Sequence, residues 1–274
     1  MLKTILKDFW LKSLIWSDKL SDESLKIISD KINNAWILDN YDSLEFYIFL
    51  CWEENLEKIL KYKEILSPWI SLDLDDTLSQ TTYEWFYKMS ILLGNPENLS
   101  INELQKKYWT TKNVEYWKNL PQINDFIKNH VENNEFVKEF KVIENTQKIY
   151  KEIDENIVWI NAYITARAEN VKSGTLYWLE KHNFSKKEII LRPNWLHSNF
   201  GMLWKACVLD ILHPKVLWIV DDSQHLAKLL PKRYNWNMFL FWQEINHFEH
   251  PNIHPSKDIF KVKENIKKVY IKTD

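Results

Sequence analysis

Glycine is nearly missing from this chain: there are 3 in 274 residues, where about 7% is usual. Cysteine is also scarce. Cys51 and Cys207 are the only two, which excludes a disulfide framework and fits a reducing compartment. No apolar run reaches the length of a membrane span. The first residues, MLKTILKDFWLK, carry lysines inside their apolar stretch and make a poor signal peptide. Excess charge of one sign is lacking too. The net charge is −2, from 36 basic and 38 acidic side chains. That excludes retention on nucleic acid or membrane by bulk charge, though not a local basic pocket. The remaining composition is ordinary, with 45% hydrophobic and 27% charged residues. The expectation is a cytoplasmic protein with one large domain, or one domain carrying an insertion.

Tryptophan is as abundant as glycine is rare: there are 15. Some stand where glycine belongs. Asn194-Trp195 and Asn235-Trp236-Asn237 read as turns, and Asn-Gly is a common turn dipeptide. Trp69 follows Pro68 at a strand entrance, and Trp242 closes an apolar strand. A composition rich in Lys, Ile and Asn suggests an AT-rich gene. One reading is that many of these tryptophans are UGA codons that the source reads as glycine. The other is a tryptophan-rich protein with aromatic platforms for a sugar or base.

Residues 1–66 read as helical, with a capping signature at Ser21, Glu23 and Ser24. The period then changes. Trp69-Ile-Ser-Leu-Asp-Leu-Asp reads as a short buried strand ending in acids. Residues 79–156 are polar, aromatic and helix-like. From 157 the pattern alternates: strands over 157–165, 188–191, 216–220 and 238–241, and helices over 169–182, 200–212 and 224–230. Such alternation predicts an α/β fold with a mostly parallel, Rossmann-like sheet. Residues 243–274 read as a loop plus a basic amphipathic helix, with 246–274 a tail.

In such a sheet, ligands bind beyond the carboxyl ends of the strands. Three strands here end in polar signals: Asp73-Leu74-Asp75-Asp76-Thr77, Thr165-Ala166-Arg167 and Asp221-Asp222. Clustered carboxylates repel one another and tend to stay protonated. A divalent cation removes that cost, and oxygen ligands with a phosphate partner suit Mg²⁺. The plainer reading of Asp222 or Ser223 is a cap for the helix that follows. That reading is weaker for Asp73 and Asp75, which point the same way from a buried strand.

These residues resemble the haloacid dehalogenase-like (HAD) superfamily. SLDLDDTL is similar to its motif I, Asp-x-Asp-x-Thr after an apolar strand. Thr165 matches motif II, Lys205 motif III, and Asp221-Asp222 the acidic pair of motif IV. The resemblance covers roughly residues 68–242 and departs at Asp76, where many members have Gly. It implies that Asp73 is a nucleophile forming an aspartyl-phosphate and that Asp75 is a general acid and base. It implies Mg²⁺ held by the Asp73 side chain, the Asp75 backbone carbonyl and Asp221, with Asp222 assisting. Thr165 would bond a phosphoryl oxygen, and Lys205 would neutralise its charge and orient Asp73. Thr77 would orient the loop or meet substrate. Arg167 would reach a substrate phosphate or lie on the surface at a helix start. Residues 79–156 fill the slot of a C1-type helical cap. Its aromatics, Tyr83, Trp85, Phe86, Tyr87, Tyr108, Trp109, Tyr116 and Trp117, would stack on a base or sugar or form the cap's own core.

The implied activity is Mg²⁺-dependent hydrolysis of a small phosphorylated metabolite, with a lean towards a nucleotidase. The rivals are a phosphatase acting on nucleic-acid ends, which a net charge of −2 does not favour, and a silent HAD-like scaffold using residues 1–66 as its partner surface. His247, His250 and His254 have spacing that can bind zinc, but Pro251 and Pro255 interrupt the segment. His225, just past Asp222, reads as a solvated helix residue or one that approaches the site, and Cys207 as a small apolar one. No P-loop is present.

Overall fold

The structure, a computed structural model, describes residues 53–65, 69–118, 120, 122–126, 133–194, 198, 201–213, 215–229, 237–242 and 252–270. The expected capping signature at Ser21, the turns at Trp195 and Trp236, and His247 and His250 lie outside these residues. So does most of the expected N-terminal helical segment, whose last part is helix α1 (Glu53–Ile65).

The strands are β1 (Trp69–Leu72), β2 (Ile160–Ala168), β3 (Glu188–Arg192), β4 (Val216–Asp221), β5 (Asn237–Phe241) and β6 (Ile253–Ser256). They form one sheet in the order β3-β2-β1-β4-β5-β6, with every pairing parallel. Between β1 and β2 lie α2 (Thr81–Leu93), α3 (Ile101–Tyr108), α4 (Glu115–Lys118), α5 (Gln122–Phe126), α6 (Asn134–Lys138) and α7 (Thr146–Asn156). Later come α8 (Lys172–Lys181), α9 (Gly201–Leu212), α10 (Gln224–Leu229) and α11 (Ile259–Tyr270). The expected α/β class with a parallel sheet is what the chain forms.

The strands are buried on both faces, as parallel strands sandwiched by helices must be. Side chains alternate between two cores. Ile189, Leu191, Val220, Phe239 and Phe241 join residues of α7, α8 and α11 on one face. Ile190, Ile219, Met238 and Leu240 join Ile59 of α1 and residues of α9 and α10 on the other. A third cluster, with Phe86, Met89, Leu104, Val114, Trp117 and Phe126, holds the insert between β1 and β2 together. Phe86 and Trp117 are therefore core aromatics of that insert.

Within the expected tail, the described residues 252–270 are part of the fold. β6 pairs with β5, and Ile259, Val262 and Ile266 of α11 are buried in the sheet's core. The helix was legible; the strand was not. Ile253-His254-Pro255-Ser256 carries a proline, which removes a ladder donor and reads as a loop. An edge strand tolerates it, and β6 is an edge. The strand expected over 157–165 instead spans Ile160–Ala168. Its pairing with β3 shifts register between Thr165 and Ala168.

Candidate functional site

The strand order reverses between β1 and β4, since β2 and β3 lie to one side of β1 and β4, β5 and β6 to the other. Such a switch point leaves a crevice at the carboxyl ends. Leu72 is paired with Val220, and the Asp73 backbone N–H donates to the Val220 carbonyl at 2.9 Å. The next residues of the two strands, Asp73 and Asp221, thus emerge side by side. Carboxylate oxygens of Asp73, Asp221 and Asp222 lie within 4.8 Å of one another.

Lys205 reaches this cluster from α9. Its ammonium is 2.6 Å from Asp73 Oδ1 and 2.8 Å from Asp221 Oδ2, and the side chain is fully buried. α9 can sit this close because it begins at Gly201. A Cβ there would come within 2.8 Å of the Ala166 Cβ on β2. Burial alone would strip the lysine of its proton; Asp221 and Asp73 outweigh that and hold its pKa above the ordinary value.

The carboxyls carry the opposite strain. Burial, then the charges of Asp221 and Asp75, push Asp73 up from 3.8 to about 8, against the pull of Lys205. Burial and Asp75 push Asp76 up to about 6, although Thr82 bonds it through both backbone and hydroxyl. Asp222 is pushed well above its ordinary value by burial and by Asp221, Asp76 and Asp73.

Ser223 separates the two readings of the acidic pair. Its hydroxyl accepts from the Leu226 N–H at 3.2 Å, and its own N–H donates to Asp221 Oδ1 at 2.8 Å. The serine caps α10, and both aspartates remain with the cluster.

The loop after β1 folds back on itself. The N–H groups of Leu78 and Ser79 both donate to the Leu74 carbonyl at 2.9 Å, and the Asp76 N–H donates to Ser79 O at 2.8 Å. Leu74 and Leu78 are fully buried anchors. Asp76 has φ 54, a left-handed conformation that Gly, Asn and Asp adopt most readily. That accounts for an aspartate where the resemblance has glycine. Thr77 is buried, and its hydroxyl has no partner.

Arg167 is not a surface residue; its guanidinium is engaged by Asp75. It is 7% exposed, and four of its five N–H donors are engaged. Nε and Nη2 bond Asp75 Oδ1 at 2.9 and 2.7 Å. Nη2 also bonds Ser79 Oγ at 2.9 Å, and Nη1 reaches Thr175 Oγ1 at 3.4 Å. The guanidinium lies over the rings of Phe140 and Trp178. Thr81 Oγ1 adds a third donor to Asp75 Oδ1 at 2.6 Å. Burial would raise Asp75; Arg167 and Thr81 together outweigh it and hold the carboxyl below 3.8. Thr165 is fully buried, one strand over from Asp73, and accepts from the Arg167 backbone N–H at 3.3 Å.

Sequence reasoning missed Ser79, Thr81 and Tyr150. The first two alternate along the chain just after the acidic motif, which was a usable signal. The Tyr150 hydroxyl is buried without a partner. Burial and then the charge of Asp73 hold its proton more tightly. Its position inside a helical run gave no hint of this.

A cavity of about 760 Å³ adjoins the cluster. Asp76 and Asp222 line it, and Thr82, Tyr83, Lys106 and Trp109 of the insert line it too. His225 is exposed on α10. His254 stacks on Phe239 and bonds Asn237 at 2.6 Å. Among the described residues no helix is long and apolar enough to cross a membrane. The chain matches no family model and no curated protein.

One expected result follows from the carboxyl crowding. Asp73 and Asp76, at about 8 and about 6, hold protons more tightly folded than unfolded, where 3.8 is ordinary. Between those values the folded state binds more protons, so stability falls as pH rises. Thermal unfolding without metal should show Tm dropping from about pH 5 to about pH 8. A divalent cation held by Asp73 competes with its proton, so the Tm gain it gives should be larger at pH 8 than at pH 5. At a hundredfold excess over Kd that gain corresponds to about 2.7 kcal/mol. A gain that is equal at both pH values, or none, would contradict cation binding at these carboxylates.

Proposed function

We propose that the protein is a divalent-cation-dependent phosphomonoesterase of the HAD type, acting on a small phosphorylated metabolite, with residues 79–156 as its cap. The observation that carries this reading is the junction of Asp73, Lys205, Asp221 and Asp222 at the switch point of the sheet. These positions are far apart in sequence and belong to three elements. A structural ion pair needs one carboxylate per lysine. Here two carboxylates share one buried ammonium and an oxygen of a third, Asp222, lies within 4.8 Å of oxygens of both, an arrangement short of positive charge.

A hard cation with oxygen ligands meets that shortage. Asp73, the Asp75 carbonyl and Asp221 would hold it, with Asp222 beside them; the donor set suits Mg²⁺ and does not exclude its hard neighbours. Once bound, the cation supplies charge that offsets repulsion between the carboxylate and an anionic phosphate.

Asp73 attacks phosphorus, and the bond from phosphorus to the leaving alcohol oxygen breaks. Asp75 gives the alcohol its proton, then takes one from the water that hydrolyses the aspartyl-phosphate. Lys205 neutralises charge on the phosphoryl group, and the Thr165 hydroxyl donates to one of its oxygens. Arg167 acts through Asp75. Its bonds and that of Thr81 all fall on Oδ1, which leaves Oδ2 to exchange the proton. At rest the pair holds Asp75 ionised; the negative charge of an arriving phosphate raises its proton affinity, and Asp75 takes the proton that it passes to the alcohol from the monoanionic ester or from water.

Phosphate release from an aryl phosphate, nucleoside monophosphates, sugar phosphates and phosphoserine, with Mg²⁺ and with EDTA, tests the reading. Release with Mg²⁺ and none with EDTA is expected. A folded protein silent on all of them with metal would favour a binding role.

Arg167→Lys checks the positioning role. A lysine cannot bridge Asp75, Ser79 and Thr175 at once, nor spread over Phe140 and Trp178. The expected result is a fall in kcat of about 10²-fold, with KM little changed. A raised KM at constant kcat would make Arg167 a substrate-binding residue instead.

A further inference from the structure

Six residues other than glycine have a left-handed backbone among the described residues. Four are Asp76, Asn98, Asn145 and Asn183, the residue types that tolerate it. The other two are Trp109, with φ 64, and Trp242, with φ 61. A bulky side chain there is a genuine outlier. Helix ends show the contrast directly. α2 ends at Gly94 with φ 88, while α3 ends at Trp109. The Trp109 N–H donates to the Gln105 carbonyl at 2.7 Å, and with ψ −41 beside φ 64 the residue lies outside even the left-handed helical well, in a region that a side chain with a Cβ disfavours.

Neither indole is packed into a core. Trp109 is 70% exposed and Trp242 is 52% exposed. Trp242 touches its neighbour Phe241, and its Nε1–H donates to the Asp76 carbonyl at 3.2 Å. Trp117 and Trp178 are the opposite case. Both are fully buried, and their Nε1–H groups donate to Gly94 O at 2.8 Å and Phe140 O at 2.7 Å. A chain with 15 Trp and 3 Gly therefore holds two kinds of tryptophan position.

We propose that positions 109 and 242 are glycine in the natural protein, through UGA codons read as glycine, while 117 and 178 are true tryptophans. Both recoded positions line the cavity beside Asp76 and Asp222. With glycine there, the mouth of the cleft is bounded by backbone, and the Asp76 carbonyl loses its indole partner. The cleft of the natural protein is thus wider than the one the tryptophans leave. The inference rests on backbone geometry and not on the phosphatase reading, and neither test below reads activity.

Peptide masses of the protein purified from its source give the first test. Glycine at 109 and 242, with tryptophan at 117 and 178, is the expected result. Tryptophan at either 109 or 242 overturns the proposal. Thermal unfolding of recombinant variants gives the second. At a left-handed position glycine is more stable than alanine. Trp109→Gly should melt above Trp109→Ala, and Trp242→Gly above Trp242→Ala, by about 2–4 °C each. At Trp159, which is also exposed but not left-handed, the alanine variant should melt higher. Alanine above glycine at 109 or 242 overturns the proposal.

Discussion

Asp73→Asn is expected to lower Mg²⁺-dependent phosphate release by roughly 10³-fold or more, without lowering the Tm of the metal-free protein. Both halves follow from the same geometry. The carboxylate is the attacking group, and an amide oxygen cannot replace it as nucleophile. The same carboxyl is also an electrostatic burden, pushed up to about 8 by burial and by its acidic neighbours. A neutral amide of nearly the same shape relieves that burden. Lys205 keeps Asp221 as its partner at 2.8 Å. Loss of activity together with a retained or raised Tm is the signature of a residue kept for chemistry at the expense of stability. Unchanged activity would place the nucleophile elsewhere.

The second large effect is on stability. Lys205→Met removes the cation that, among the described residues, touches both Asp73 and Asp221 in a fully buried setting. Breaking a buried pair by removing one partner costs about 3–5 kcal/mol. In a protein of this size that lowers Tm by on the order of 10 °C. The methionine stem fills much of the same space, so the loss reports charge and not a cavity. Mg²⁺ should restore part of the lost Tm, and should raise the variant's Tm by more than it raises the wild type's, because it returns positive charge to the same carboxylates. A variant that unfolds like the wild type, with or without metal, would mean that the three aspartates do not feel one another as the distances imply.

The acidic strand ends were legible because buried parallel strands read as continuous apolar runs, and an aspartate that closes such a run stands out. Ile70, Leu72, Ile219 and Val220 are all fully buried or nearly so, which is why β1 and β4 could be placed from sequence. The adjacency of β1 and β4 could not. Strand order is a property of the whole sheet, and residues 73 and 221 meet only because β4 crosses back beside β1. Arg167 shows the same limit. Two residues past Thr165 on a strand, it belongs to the same face. Its partner Asp75 lies 92 positions away, and no local pattern encodes that pair. β6 was hidden by Pro255 at an edge where proline does no harm. The aromatics of the insert divided in a way composition cannot foresee: Phe86 and Trp117 form its core, while Tyr83 and Trp109 line the cavity.

The most direct test of the central claim is to trap the covalent state. Borohydride added during turnover reduces an acyl phosphate to the alcohol, so an aspartyl-phosphate becomes homoserine. Peptide mapping of protein quenched with an aryl phosphate and Mg²⁺ should find that conversion at residue 73. It should be absent with EDTA and in Asp73→Asn. Phosphate released with Mg²⁺ while residue 73 stays aspartate and another carboxyl is converted would contradict the account.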